Sequence, residues 1–190
     1  MQALRHGFWG VAALICVSAA QAAPVTYSTS GVFTANGTNT ITVGNSTIVF
    51  NGVGSATVNT PAGNNFGVFQ LLNNTGVSGI FNNVDFDITF TQTVPGPGGS
   101  HTVDGNINGS FSLLSGIIIF TPSEQSFNIG NVTYSFDNAS YVLQVPAGPA
   151  GTSTTIQGTI VGGEVPEPAS LAMLGGGLAA LVLAGRRRRA

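Results

Sequence analysis

The sequence contains no lysine, and its five basic residues are arginines near its two ends: Arg5, Arg186, Arg187, Arg188 and Arg189. Between residues 23 and 164, His101 is the one side chain that can become positively charged, whereas six side chains are acidic. Binding to nucleic acid or to an anionic lipid surface requires a cluster of basic side chains. The composition therefore excludes both kinds of partner for this part of the chain.

Cysteine and tryptophan are almost missing as well. The single cysteine, Cys16, and the single tryptophan, Trp9, both lie in the first 22 residues. Residues 23–164 cannot form a disulfide, so their fold must depend on an apolar core. A chain of roughly 140 residues is long enough to bury such a core in one domain. Lipid attachment at Cys16 is disfavoured, because Ile15 is larger than the small residue that such a site requires.

The first 22 residues are organised like a secretory signal peptide. Arg5 stands in a short polar start, and residues 8–20 form an apolar run that is too short to span a membrane comfortably. The pattern Ala20-Gln21-Ala22 then matches a cleavage site of the A-x-A kind. We therefore expect export, with signal peptidase cutting between Ala22 and Ala23.

The last 26 residues, 165–190, read as a membrane anchor. Residues 169–185 carry no charge, and a helix of this length reaches roughly 26 Å, the short end of what spans a bilayer. Gly175, Gly176 and Gly177 weaken a helix in water, but backbone groups in lipid must pair internally. The arginine cluster 186–189 is expected to stay on the cytoplasmic side of the inner membrane. A transmembrane helix is therefore predicted at about 169–185, with the preceding chain facing away from the cytoplasm.

The same residues carry a family resemblance. Pro166, Glu167 and Pro168, the apolar segment and the arginine cluster 186–189 follow one another in the order of the PEP-CTERM sorting signal, which they resemble. This signal is found in Gram-negative bacteria that produce exopolysaccharide. The resemblance implies that an exosortase-type enzyme recognises Pro166, Glu167 and Pro168, cuts nearby, and releases or re-anchors the exported part. A membrane anchor that is never cut is the alternative.

Residues 23–164 have the pattern of β-strands. Residues 84–91 alternate strictly between apolar and polar, which predicts a half-buried strand. Residues 117–120 are apolar throughout, which predicts a strand that is covered on both sides. The same reasoning predicts further strands at 25–34, 40–43, 47–50, 66–72, 103–113, 132–136, 141–145 and 155–161.

Turn signals separate these strands. Asn36-Gly37 and Asn51-Gly52 predict tight turns, and residues 95–99 and 146–151 are longer Pro/Gly breaks. Ten or more short strands with no helical stretch predict an all-β domain at residues 23–164. The predicted architecture is an antiparallel β-sandwich, jelly-roll-like, flanked by the signal helix and the transmembrane helix.

Three short patterns in this domain resemble the choice-of-anchor domains that often precede such a tail. They are Gly-Val-Phe-Thr at 31–34, the strand at 84–91 and a closing strand just before the anchor. These families have no agreed molecular activity, so the resemblance implies none for this chain.

One stretch fits the opening of a calcium-binding loop. Asp104, Asn106 and Asn108, followed by a glycine, supply oxygen atoms at the first, third and fifth positions of such a loop. The twelfth position should hold a bidentate acid, but it is Ser115. The stretch also alternates like a strand, so a Ca²⁺ site and a plain strand are both candidate interpretations.

Catalytic patterns are scarce. Asp85 and Asp87 share a strand face and could bind a cation, although exposed acids on an edge strand are the simpler interpretation. His101 follows a Gly/Pro break, where a solvated side chain is expected, and it is the one candidate base in the domain. We found no Gly-x-Ser-x-Gly pattern and no His/Cys cluster for zinc. The sequence therefore predicts a protein that is not an enzyme and needs no cofactor, with Ca²⁺ as the one candidate ion.

Sugar-binding domains commonly stack aromatic rings on their ligand, and this domain has no tryptophan. Tyr134 and Tyr141 stand among alternating apolar residues and are predicted to be core residues. The sequence thus predicts an exported surface or extracellular-matrix protein that is processed by an exosortase-type enzyme. A structural or interaction role in an exopolysaccharide or biofilm matrix is expected, and a calcium-assisted polysaccharide-binding module is the alternative.

Overall fold

The computed structural model describes residues 23–44, 46–72, 78–112, 116–145, 151–162 and 175–177. The described residues from 23 to 162 belong to one compact unit, and residues 175–177 belong to another. The predicted signal peptide, the sorting motif, the arginine cluster and most of the predicted transmembrane helix lie outside the described residues. Gly175, Gly176 and Gly177 are helical. Among the described residues, no helix has the length and apolar character needed to cross a membrane.

Twelve strands make up most of the compact unit. In chain order they are β1 (Pro24–Phe33), β2 (Thr40–Val43), β3 (Ser46–Asn51), β4 (Ala56–Asn59), β5 (Ala62–Leu72), β6 (Gly79–Val94), β7 (Gly99–Phe111), β8 (Gly116–Pro122), β9 (Ser126–Ile129), β10 (Val132–Phe136), β11 (Tyr141–Val145) and β12 (Thr152–Gly162).

These strands form two six-stranded antiparallel sheets. The order in sheet 1 is β11-β8-β7-β6-β1-β4, and the order in sheet 2 is β2-β3-β5-β12-β10-β9. The prediction of an antiparallel all-β domain is therefore confirmed for the described residues. The jelly-roll form of that architecture stays a prediction.

Alternation along the chain sets which side chains face inward. In β6, Phe86, Ile88 and Phe90 are fully buried, whereas Asp85 just before them is exposed and Asp87 between Phe86 and Ile88 is half-buried. Successive side chains of a strand point to opposite sides of a sheet, so the apolar residues of each strand collect on one face. Each sheet consequently has an apolar inner face and a largely polar outer face, with a few exposed aliphatic side chains, most of them in sheet 1, as exceptions.

The two inner faces pack against each other through aromatic rings. The ring of Phe50 in sheet 2 lies 5.1 Å from that of Phe86 in sheet 1, and the rings of Phe66 and Phe90 are 5.0 Å apart across the same boundary. Both pairs meet edge to face, an arrangement that stabilises aromatic contacts beyond the area they bury. The core is therefore built without a disulfide, as the sequence requires.

Two tyrosines in this core keep their hydroxyl groups paired. Tyr27 donates to the carbonyl oxygen of Asn65 at 2.8 Å, and Tyr134 donates to Oε1 of Gln92 at 3.0 Å. Gln92 is itself buried, and its amide nitrogen donates to the carbonyl oxygen of Pro95 at 3.2 Å. Burial raises the pKa of both tyrosines above its usual value. Tyr134 and Tyr141 are 0% and 4% exposed, which confirms their prediction as core residues.

Thr60 joins the beginning and the end of the compact unit. Its backbone N–H and its hydroxyl both donate to the carbonyl oxygen of Ala23, at 3.3 and 3.0 Å. Gly162, at the end of β12, lies so close to Thr60 that a Cβ on the glycine would meet the threonine Oγ1 at 2.4 Å. The first and last described residues of the unit therefore meet at one side chain.

Residues 117–120 are covered on one side only, so the prediction of a doubly covered strand is wrong. Ile118 and Phe120 face the core, but Ile117 is 52% exposed and Ile119 is half-buried. The β-branched run forms a strand as expected, because β-branched side chains fit a pleated surface. What the run does not specify is a second layer over its outer face.

One of the two predicted tight turns is confirmed. Gly37 has a φ of 65°, and residues 34–37 form a turn after β1. Asn51-Gly52 does not form a tight turn, because Asn51 ends β3 and the chain continues from sheet 2 to β4 in sheet 1. A Cβ on Gly52 would meet the carbonyl oxygen of Thr29 at 2.1 Å. The glycine is needed here for close backbone approach.

Candidate functional site

The predicted sorting residues Pro166, Glu167 and Pro168 lie outside the described residues, as do Ala22 and the arginine cluster 186–189. Ala23 is described, and it is half-buried directly before β1. The predicted signal-peptidase site therefore lies immediately before the first residue that is hydrogen-bonded to the domain.

The proposed calcium ligands Asp104, Asn106 and Asn108 lie along β7 with their side chains on the outer face of sheet 1. They thus belong to an extended strand and not to a curled loop. Asn108 Oδ1 accepts a hydrogen bond from the backbone N–H of Asn83 at 2.7 Å. Asn83 has a φ of 51° and belongs to a bulge in β6. One of the three candidate oxygen atoms is consequently already used to hold that bulge.

The aspartates of β6 and β7 form an acidic region on the same outer face. Asp87 stands directly opposite Asp104, and Asp85 stands directly opposite Asn106. Asn106 Oδ1 is buried and has no hydrogen-bond partner in the described part of the protein. The sequence suggested that Asp85 and Asp87 lie on an edge strand. This is wrong, because β6 is paired with β7 on one side and with β1 on the other.

Geometry limits what this acidic region can bind. In the described parts of the chain, no group of three or more His, Cys, Asp or Glu side chains is close enough together to hold a metal ion. Like charges placed directly opposite each other on a sheet repel. The region can attract cations as a surface, and the sequence-based Ca²⁺ site at Asp104, Asn106 and Asn108 stays a prediction.

His101 has a partner that the sequence did not indicate. Its Nε2 lies 2.5 Å from Oε1 of Glu124, which makes an ion pair when the imidazole is protonated. The imidazole also stacks on the ring of Phe127, with centroids 4.4 Å apart. Phe127 stacks in turn on Tyr134 in the core at 5.3 Å. These two contacts hold the His101 side chain at the edge of the core. The sequence did not indicate the pairing, because Glu124 lies 23 residues further along the chain.

The outer face of sheet 2 has a different character. Its six strands contain no Asp, Glu, Lys, Arg or His. Cross-strand pairs of hydroxyl and amide groups cover it instead, including Thr42 with Thr47 at 2.9 Å and Thr133 with Asn128 at 2.7 Å. Neutral groups that can donate and accept hydrogen bonds suit contact with uncharged polar polymers. One carboxylate does reach this face, because Asp137, which follows β10, accepts a hydrogen bond from the Thr159 hydroxyl at 3.0 Å. The domain therefore has one acidic outer face and one outer face whose strands carry no charged side chain.

Comparison with known protein families identifies a sorting motif. The family description "PEP-CTERM protein-sorting motif" matches residues 164–189. The prediction of a PEP-CTERM sorting segment is confirmed, whereas the similarity to choice-of-anchor domains stays a prediction. No curated protein and no solved structure shows significant similarity to the chain. The motif indicates export, a C-terminal membrane anchor, processing by an exosortase-type enzyme and final placement at the surface or outside the cell.

Proposed function

Because residues 164–189 carry a PEP-CTERM protein-sorting motif, we propose that the chain is a non-catalytic component of the extracellular matrix, delivered by that motif. The described domain is interpreted as a β-sandwich that serves as the cargo. The observation that carries the proposal is the motif itself, and the cysteine-free, lysine-free domain before it is consistent with an exported structural protein.

The delivery has four parts in this proposal. Signal peptidase removes residues 1–22, the apolar segment holds the chain in the inner membrane, and the arginine cluster keeps its end in the cytoplasm. An exosortase-type enzyme then recognises Pro166, Glu167 and Pro168. The prolines favour an extended backbone there, which leaves the peptide accessible to an enzyme.

Measuring the intact mass and location of the mature protein in its host tests this sequence of steps. We expect a product that begins at Ala23, ends near residues 165–168 and is found outside the inner membrane. A product that still carries the arginine cluster and stays in the inner membrane would instead indicate a permanent anchor.

A matched pair of variants tests the recognition step. Glu167→Gln removes the charge inside the Pro-Glu-Pro sequence, and Glu164→Gln removes a charge three residues earlier. We expect the first variant to accumulate unprocessed in the inner membrane and the second to be processed like the wild type. Equal processing of both variants would contradict recognition of Glu167.

A polysaccharide-binding module is the second candidate, and the outer face of sheet 2, whose strands carry no charged side chain, favours it. Thr133→Asp places a charge on that face, and Thr102→Asp places one on the outer face of sheet 1 as a control. The second candidate predicts sedimentation of the mature protein with insoluble neutral polysaccharide and a loss of binding in Thr133→Asp only. Loss of binding with a chelator would support the calcium-assisted form, whereas no binding at all, with weakened matrix cohesion in a deletion strain, favours the structural role.

A further inference from the structure

An apolar patch lies on the outer face of sheet 1, at the end away from the aspartates. Ile80, Ile117 and Val142 are 71%, 52% and 43% exposed. The half-buried Ile119 stands opposite Val142, and Ser110 stands between Ile80 and Ile117 on neighbouring strands. Ile80, Ile117, Ile119 and Val142 are called the apolar patch below. Grouped exposed aliphatic side chains on a soluble domain commonly mark an interaction surface.

The apolar patch extends to one edge of sheet 1. Strand β11 is the last strand of this sheet, and within the described residues it forms a backbone ladder with β8 alone. On its inner side β11 lies against β12 of sheet 2, where the Tyr141 hydroxyl donates to the carbonyl oxygen of Gln157. Tyr141, Leu143 and Val145 face the core, and Val142 and Gln144 face outward. The strand contains no charge, no proline and no bulge. These are the features that usually prevent an edge strand from pairing with another chain.

The other three sheet edges lack this combination. Their outward side chains are polar, and Thr57 of β4 is already bonded to Thr26 of the neighbouring strand at 2.8 Å. The outward residues at these edges are Thr40 and Thr42 in β2, Thr57 and Asn59 in β4, and Ser126 and Asn128 in β9. Among the described strands, β11 is therefore the edge with an aliphatic outward side chain beside an exposed apolar patch.

We propose that two copies of the domain associate through β11, pairing antiparallel about a two-fold axis at Leu143. This register places Tyr141 opposite Val145 and Val142 opposite Gln144. The two-fold axis is perpendicular to the sheet, so the apolar patches of both copies lie on the same face of one continuous twelve-stranded sheet. The interface is isologous, the commonest kind in homodimers.

A second copy fits this edge better than a partner of different chemistry. The backbone of an antiparallel edge is complementary to itself, and no side chain of β11 carries a charge that would repel its own copy. Asp85, Asp87 and Asp104 lie in rows further along the sheet, beyond Asn108 and Ile119. Pairing therefore brings together apolar and neutral groups only.

Cysteine cross-linking tests the register directly. The probe is the double variant Val142→Cys/Gln144→Cys in a full chain that also carries Cys16→Ser, expressed in its host. Directly opposed residues in an antiparallel pair have Cα atoms about 4.5–5.5 Å apart, within the range that a disulfide spans. We expect a disulfide-linked dimer on non-reducing gels, because the rest of the mature chain has no cysteine.

The matched cross-linking control is Thr159→Cys/Val161→Cys. This pair also lies two residues apart on an outer face, but its strand β12 is paired on both sides. We expect no dimer from it. Equal cross-linking of both pairs, or a cross-link of the β11 pair to a different protein, would overturn the proposal.

A lysine introduced on β11 tests how strongly the two copies associate. Val142→Lys and Val161→Lys replace valines of similar exposure, 43% and 46%, on β11 and β12. In the processed protein purified from its host, we expect light scattering to show dimers for the wild type and for Val161→Lys. Val142→Lys should associate at least about ten-fold more weakly, since a lysine at a small apolar interface loses hydration without gaining a partner.

Circular dichroism of each variant separates lost association from lost folding. Gln144→Lys provides a second variant at the same edge if Val142→Lys does not fold. A wild-type protein that is monomeric at every concentration, or equal association of all three lysine variants, would refute pairing through β11.

Discussion

Gly31 shows how tightly single residues are packed between the sheets. A Cβ at this position would lie 2.4 Å from Cζ of Phe86 and 2.6 Å from Cδ1 of Phe50. We expect Gly31→Ala to lower the free energy of unfolding by about 1–3 kcal/mol, because two buried rings must move. Urea unfolding measures the change, and Gly63→Ala is the control, since no atom lies within 4 Å of its added Cβ. Equal stability of the two variants would contradict close packing at Gly31.

The buried tyrosines predict a loss of stability in alkali. Burial raises the pKa of Tyr27, Tyr134 and Tyr141 in the folded state. Above about pH 10 the unfolded chain releases tyrosine protons that the folded chain retains, so the free energy of unfolding falls as pH rises. Urea unfolding of the mature protein at pH 8 and pH 11 should show this decrease. No lysine obscures the titration, and a constant stability would contradict the raised pKa values.

The variant Tyr134→Phe distinguishes two effects of the Tyr134 hydroxyl on stability, its ionisation in alkali and its hydrogen bond to Gln92. The variant should show a smaller alkaline decrease, since one buried ionisable group is gone. At pH 8 it should be less stable than the wild type by about 1–3 kcal/mol, because the buried oxygen of Gln92 loses its donor. A variant that matches the wild type at both pH values would rule out both roles.

What the sequence could predict about single residues depended on their neighbours along the chain. The burial of Tyr134 and Tyr141 follows from alternation, which is local. The pairing of His101 with Glu124 and its stacking on Phe127 depend on β7 and β9 meeting in space, so no local pattern indicates them. The fixed position of His101 was therefore beyond the reach of sequence reasoning.

Two aspartates, Asp87 of β6 and Asp104 of β7, are direct cross-strand neighbours. Because Asp87 and Asp104 repel, we expect Asp104→Asn to raise the free energy of unfolding at low salt and neutral pH, with a smaller gain at high salt. Thermal unfolding with and without Ca²⁺ checks both this expectation and the candidate ion site. If Ca²⁺ stabilises the wild type more than the variant, Asp104 is a ligand. If Asp104→Asn destabilises the protein without Ca²⁺, the repulsion is not significant.

The strands that sequence reasoning missed are β4 and β9, each only four residues long. In a strand of four residues, alternation is hard to distinguish from chance. Length is not the whole reason, because β2 is equally short and was predicted. The error at Ile117 has another cause, since an apolar run reports β-propensity but not the presence of a covering layer. Strand positions were thus largely predictable, whereas coverage of their outer faces was not.

For the domain as a whole, the sequence predicted the all-β fold class but not which strands pair with each other. Alternation determines which face of a strand is buried, but it does not determine which strands pair. The pairing of β1 with β4 and β6, or of β5 with β12, joins segments far apart in the chain. By contrast, the sorting motif was recognisable in full, because an enzyme reads it as a short contiguous peptide. The motif indicates where the protein is sent. The difference between the two outer faces becomes visible only when the pairing of the strands is known.

The meeting of Ala23 and Gly162 at Thr60 means that the chain enters and leaves the domain at the same corner. We expect a circular permutant to fold, with Gly162 joined to Ala23 by a short flexible linker and new termini between Gly96 and Pro97 in the exposed turn after β6. Its urea unfolding transition should keep the slope of the parent domain, since the same surface is buried. A permutant that does not fold would show that chain order matters here beyond the contacts themselves. A permutant that folds would give this domain a pair of attachment points on either side of the β6–β7 turn, far along the chain from the end that the sorting enzyme cuts.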